Sequence, residues 1–189
     1  LRKQKKQLGR IVRLLSYDPQ GKSKIKVWLQ RKCVALAFYR EKASNATYEV
    51  IDLAGVKTWR VTTPNSDPNK ALLFFHGGAF VFGSPRASYP LATHLARESG
   101  MTVYVPAYRQ APEYTFPAQI TDAVSVYQSL VQDYGYATHQ IGLAGESAGG
   151  NLALVLILKL KEIGFPLPAA IICMSPWADP TASGETYSE

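Results

Sequence analysis

The chain has 189 residues, 47% of them hydrophobic and 19% charged, with 21 Lys+Arg against 14 Asp+Glu. That composition is ordinary for a globular protein and excludes a disordered, collagenous or coiled-coil chain. The length suits one domain with a real core, and the longest apolar run, Leu152–Leu158, falls far short of the ~20 residues a membrane-spanning helix needs.

Residues 1–42 carry a net charge of +11 and the remainder −4, so the basic character belongs to the N-terminal segment and not to the whole fold. A basic segment can favour nucleic acid or anionic lipid; the reading adopted is a solvated helix face, with no nucleic-acid partner. Cys33 and Cys173 do not make a disulfide framework and read as free thiols in a reducing compartment, which points to the cytoplasm. No Cys/His spacing fits a metal site. The chain begins with Leu, so its start is read as trimmed or incomplete.

In chain order, Leu8, Ile11, Val12 and Leu15 follow the helical i, i+3, i+4, i+7 pattern, and Asp18-Pro19-Gln20-Gly21 breaks it. Ile25, Trp28, Leu29, Cys33 and Leu36 predict a second amphipathic helix. Such helices need something to lie against. Near residue 46 the period changes to two, and residues 47–62 predict a β-hairpin turning at Ala54-Gly55. A loop follows at Pro64–Asn69. Strands are then expected at 71–75, 102–106, 141–144 and 169–174. Between them come a helix at 89–98 with Leu91 and Leu95 on one side, and a longer helix with Ile120, Ala123, Val124, Tyr127, Val131 and Tyr134 on one face. The last helix, 151–161, is apolar nearly all round and so buried on several sides. This alternation predicts an α/β fold with a mostly parallel sheet covered on both faces.

Two motifs carry chemistry. Gly145-Glu146-Ser147-Ala148-Gly149 fits the G-x-S-x-G pattern and stands between a predicted strand and a predicted helix. A sharp strand-to-helix turn strains the serine backbone, and flanking glycines relieve the crowding. Ser147 then projects from the strand end at a helix N-terminus, where free N–H groups favour developing negative charge. The second motif is His76-Gly77-Gly78-Ala79-Phe80, directly after the strand 71–75. Its small residues let backbone N–H groups face a ligand, as an acyl-transfer oxyanion requires. A Walker loop is excluded, because no Gly-Lys-Ser/Thr follows.

These motifs occur in one order with Tyr108-Arg109-Gln110-Ala111-Pro112-Glu113, Phe116-Pro117-Ala118, Gly145–Asn151 and Ser175-Pro176-Trp177. The series resembles the hormone-sensitive-lipase-like branch of the α/β-hydrolases, notably its bacterial carboxylesterases, over residues ~46–189. The resemblance implies an α/β-hydrolase core at 46–189 preceded by a helical cap segment at 1–45. It implies Ser147 as catalytic nucleophile and the N–H groups of Gly78, Ala79 and Ala148 as oxyanion hole, with Gly77 allowing the loop its shape. His76 is then structural support for that loop, and Arg109 and Glu113 brace the top of the sheet through polar contacts. The substrate implied is a small ester of short to medium acyl chain, with no metal or organic cofactor. Two departures stand out. Ala79 replaces a third glycine, and its N–H can serve if its φ is negative. Glu146 replaces the usual Asp and keeps its charge.

A triad of this family runs Ser, Asp/Glu, His. The three histidines, His76, His94 and His139, all precede Ser147. Asp179 follows the last predicted strand, one strand early for the triad acid, and is not assigned. The expectation is therefore an N-terminal piece of a longer serine carboxylesterase, inactive or nearly so by itself, whose last strand forms an exposed sheet edge. The alternative is a catalytically inactive ligand-binding protein on the same fold.

Overall fold

The computed structural model describes residues 27–32, 45–179 and 181. The chain divides into two compact units, Leu1–Tyr39 and Arg40–Glu189. In the first, residues 27–32 are helical. The helix expected around Leu8–Leu15, most of the second amphipathic helix, Cys33 and the cap they are expected to form lie outside the described residues.

The second unit opens with β1 (Thr47–Leu53) and β2 (Val56–Thr62), an antiparallel hairpin in which Leu53 faces Val56. Its turn is the expected Ala54-Gly55, at φ 52° and 84°. Two successive left-handed residues match the twist of the flanking strands, and Asp52 Oδ1 accepts the Gly55 N–H at 2.7 Å. Then come β3 (Asp67–Phe75), α1 (Tyr89–Ser99), β4 (Met101–Pro106), α2 (Ala118–Gln132), β5 (Ile141–Glu146), α3 (Ala148–Glu162) and β6 (Ala170–Met174). The strand order is β1-β2-β4-β3-β5-β6. β2 meets β4 antiparallel, while β4, β3, β5 and β6 are parallel.

Successive side chains of a strand point to opposite faces, and here both faces are covered. Leu73, Phe75, Tyr104 and Leu143 pack with Tyr127 and Leu130 of α2 and with Leu152, Leu156 and Leu160 of α3. Leu72, Phe74, Val103 and Val105 pack on the other side with Ala92 and Ala96 of α1. Burial on both faces is why these strands read as unbroken apolar runs.

Three details differ from the sequence reading. β3 begins at Asp67, which pairs with Met101 before the register shifts at Ala71, so the expected loop Pro64–Asn69 is shorter. Pro68, Asn69 and Lys70 are exposed and carry no apolar signal. The buried face of α2 is centred on Ala123, Val126 and Leu130, with Tyr134 left exposed beyond the helix end. A helix apolar on more than one side does not fix its own rotation from periodicity. In α1 the deepest residues are Ala92 and Ala96, with Leu91 and Leu95 half-buried beside them. β6 pairs with β5 only, among the described residues, and Ile172 is 52% exposed. No helix of the described residues is long and apolar enough to cross a membrane.

Candidate active site

β5 ends at Glu146, α3 begins at Ala148, and Ser147 between them stands at φ 53° and ψ −119°. A non-glycine residue in such a conformation costs about 1–3 kcal/mol and persists only where its surroundings impose it. Three backbone hydrogen bonds impose it here. The Ser147 N–H donates to Met174 O at 3.0 Å, and Ser147 O accepts from the N–H groups of Asn151 at 3.1 Å and Trp177 at 3.0 Å. The first turn of α3 lies directly on the end of β3. A Cβ placed on Gly149 would stand 2.0 Å from Phe75 O. Gly149 is therefore required by close approach, since its own φ lies outside the left-handed region.

The loop after β3 reaches the same place. A Cβ on Gly77 would lie 3.1 Å from Glu146 O and 3.3 Å from Ser147 Cβ, so the two motifs meet backbone to backbone. Gly78 O then accepts the N–H groups of Val81 at 3.0 Å and Phe82 at 2.7 Å, closing a tight turn. Ala79 does not have the negative φ set as its condition: it stands at φ 54°, and Phe80 at 59°. Each left-handed L-residue costs roughly 1–2 kcal/mol. The turn forces the conformation that a glycine would take freely, and the alanine bears the strain.

His76 is buried beneath this loop. Its ring stacks on Tyr108 at 4.5 Å and 19°. Its Nδ1 lies 2.8 Å from Gly77 O, a bond that requires the proton on Nδ1, and the Tyr108 hydroxyl donates to His76 O at 2.7 Å. Burial lowers the His76 pKa to about 4, so the ring is neutral at physiological pH. The same burial pushes the Tyr108 hydroxyl well above the usual tyrosine range.

The segment after β4 holds the loop from its other side. The Ala111 N–H donates to Phe80 O at 2.9 Å and Gln110 Nε2 to Phe82 O at 2.6 Å. Arg109 is anchored in turn by Asp122 of α2. Its Nε and Nη2 donate to Oδ1 at 2.9 and 2.6 Å, and its backbone N–H donates to Oδ2 at 2.8 Å. Arg109 thus makes the expected polar contact, and Glu113 is exposed on the same loop. The sequence reading did not name Asp122. The signal was available, because an acid on the buried face of an apolar helix demands a partner. Beyond β6, Asn151 Nδ2 donates to Trp177 O at 2.9 Å, and the Trp177 ring stands 6.4 Å from that of Phe80.

The other histidines are elsewhere. His139 precedes β5 and Ser147 follows it, at opposite ends of the strand. His94 is exposed on α1 beside Arg97 and Glu98. No group of three His, Cys, Asp or Glu side chains that could hold a metal occurs among the described residues.

A family model described as alpha/beta hydrolase fold matches residues 72–189. An acetyl-hydrolase of Streptomyces hygroscopicus is 38% identical over 125 residues, which are 66% of this chain and 42% of that protein. An esterase of Acinetobacter venetianus is 36% identical over 144 residues, 75% of this chain and 47% of its own length. The crystal structure of an esterase from the bacterial hormone-sensitive lipase family superposes with a TM-score of 0.83 at 32% identity, over 96% of this chain and 61% of that one. The chain thus spans less than half the length of these sequence relatives. On this fold, with the serine turn and the 76–80 loop in contact, the chain belongs to the hormone-sensitive-lipase-like branch of the α/β-hydrolases.

Proposed function

We propose that the complete protein is a carboxylic ester hydrolase working through an acyl-enzyme on Ser147. The observation that carries this reading is the contact between the serine turn and the Gly77 backbone. It puts one hydroxyl, the N-terminus of α3 and a turn of small residues at a single point.

In this reading the Ser147 hydroxyl attacks the ester carbonyl, and the negative charge that develops on the carbonyl oxygen is met by the N–H groups of Gly78, Ala79 and Ala148. The condition of a negative φ at Ala79 is dropped, because at φ 54° the alanine holds the conformation a glycine would take there and keeps its N–H. Donors of this kind are already oriented when charge appears, and losing one typically costs ~10²–10³ in rate. Gly77 allows the close approach, and His76 fixes the loop through the Gly77 carbonyl. The alcohol leaves and water then releases the acid. The chemistry uses no metal or organic cofactor. The acetyl-hydrolase among the relatives supports the short end of the proposed short to medium acyl esters.

The attacking hydroxyl must give up its proton. His76 is stacked on Tyr108 and bonded to Gly77 O, and neither His94 nor His139 lies at the serine end of β5. The base is therefore assigned outside these 189 residues. By themselves they should show at most trace hydrolysis, of the order of the ~10³–10⁴-fold over water that an oxyanion hole and binding retain without a triad.

The test is hydrolysis of p-nitrophenyl acetate and butyrate by the complete protein. Turnover should fall roughly 10⁶-fold in Ser147→Ala, as for removal of a triad serine elsewhere. Turnover that survives the substitution contradicts the mechanism. A folded complete protein with no turnover at all would favour the ligand-binding reading.

A further inference from the structure

A pocket of about 340 Å³ opens at the end of the sheet opposite Ser147. Thr102 of β4 lies there, level with Ile141 at the start of β5. Ser147 follows the far end of β5, about 20 Å away along the strand at ~3.3 Å per residue. The pocket floor is one face of β1, β2 and β4. Thr47 faces Thr62 and Glu49 faces Arg60 across the hairpin, and Arg60 faces Tyr104 across the next ladder. Residues two apart on a strand share a face, so these side chains stand in adjacent rows. Tyr134 and Tyr136 form one wall, and Pro68 completes the lining. Gly135, between the two tyrosines, stands at φ 75°. The N–H groups of Tyr134 and Tyr136 donate to Ser129 O and Leu130 O, both at 3.1 Å. The end of α2 thus sets both rings in place, and each meets Tyr104 edge to face, at 6.3 and 6.1 Å.

The groups on offer select the ligand. Tyr104 and Tyr136 bond to each other through their hydroxyls at 3.1 Å, and Thr102 Oγ1 is turned to Asp67 O at 3.5 Å. The hydroxyls of Thr47 and Thr62 have no partner among the described residues. Arg60 is ion-paired with Glu49, so one fixed cation is matched by one fixed anion. A charged ligand would gain at one and lose at the other. An apolar ligand would strip water from both and return no hydrogen bond. A cross-strand ion pair by itself accounts for Glu49 and Arg60. It does not account for two open hydroxyls and a Tyr134 ring 40% exposed around the same hollow. A neutral sugar uses all of these. Its C–H face stacks on an aromatic ring, and its neighbouring hydroxyls pair with a carboxylate, a guanidinium fork and hydroxyls. The volume is at the small end of the ~300–1,000 Å³ that ligand pockets span, which suits a single ring. We infer that this pocket binds one ring of a neutral sugar, stacked on Tyr134 and hydrogen-bonded by Glu49, Arg60 and the Thr47–Thr62 pair. The site is separate from the serine and does not depend on the esterase reading.

The experiment titrates the complete protein, by ligand-observed NMR, with the methyl glycosides of glucose, galactose, mannose and xylose. Glucuronate and cyclohexanol serve as charged and apolar counterparts. At least one glycoside should bind with a Kd on the order of millimolar, and more tightly than either counterpart. Tyr134→Ala removes an exposed ring, should leave the thermal midpoint unchanged, and should weaken that glycoside about tenfold. Ser147→Ala should leave its binding unchanged. Glu49→Gln leaves the Arg60 charge unmatched and should turn the preference towards glucuronate. If Tyr134→Ala does not fold, Glu49→Gln decides. No glycoside binding, tighter binding of a counterpart by the parent, or glycoside binding within about twofold of the parent in Tyr134→Ala overturns the inference. None of these results touches Ser147-dependent ester hydrolysis, which stands or falls by its own assay.

Discussion

Two turns in this molecule hold residues at nearly the same positive φ for different reasons. At the hairpin tip, Ala54 and Gly55 stand at 52° and 84°, and a Cβ on Gly55 would meet nothing within 4 Å. At the serine turn, Ser147 stands at 53° with Gly149 packed 2.0 Å, in Cβ terms, from Phe75 O. The hairpin needs a left-handed bend to match strand twist, and the solvent around it absorbs change. The serine turn needs the bend because a helix, two strands and a loop converge on it. Strain is cheap where nothing else depends on it, and it is imposed by tertiary contacts where a side chain must be aimed.

That contrast can be broken or sharpened by substitution. Gly149→Ala has the largest expected effect. With a backbone carbonyl where the methyl must go, the loss should exceed about 4 kcal/mol, seen as collapse of soluble yield or of the thermal transition. Next is pH, which acts on the serine end through His76. Its folded pKa of about 4 lies below the unfolded value of 6.5, so the unfolded chain binds the extra proton between these values. The stability from the buried neutral ring is complete above pH ~6.5 and declines as pH falls towards 4, by about 3 kcal/mol in all. Urea midpoints from pH 7 to 4 should show this decline, and His76→Gln should flatten it. Gly77→Ala should keep the fold but push the loop off the serine, lowering kcat of the complete protein about 10²-fold, equivalent to one misplaced oxyanion donor. Gly55→Ala at the hairpin should cost only about 1 kcal/mol, the left-handed strain less the entropy gained in the unfolded chain. If Gly55→Ala proves as damaging as Gly149→Ala, the distinction between the two turns is wrong.

Much of the fold was legible because burial on both faces writes itself into sequence. Residues 71–75, 102–106 and 141–144 are short apolar runs, and all three lie in central parallel strands. The serine turn was legible because few residue patterns permit a strand to become a helix at one residue. What the sequence hid was contact made through exposed or polar groups. The first half of β3 is exposed and has no apolar pattern. Asp122 holds Arg109 from a different element, and no local motif links the two. The conformation of Ala79 was left open by the sequence, because its residue type prefers negative φ, while the Gly78–Phe82 turn dictates otherwise. Strand order was equally hidden, since the placement of β4 between β2 and β3 depends on pairing and not on local propensity.

The most direct test of the central claim is covalent labelling of the complete protein with a fluorophosphonate, followed by intact mass measurement and peptide mapping. The account predicts one adduct per chain, on the peptide holding Ser147, lost in Ser147→Ala and protected by ester substrate. An adduct on a different serine, or none on a folded protein, would contradict it.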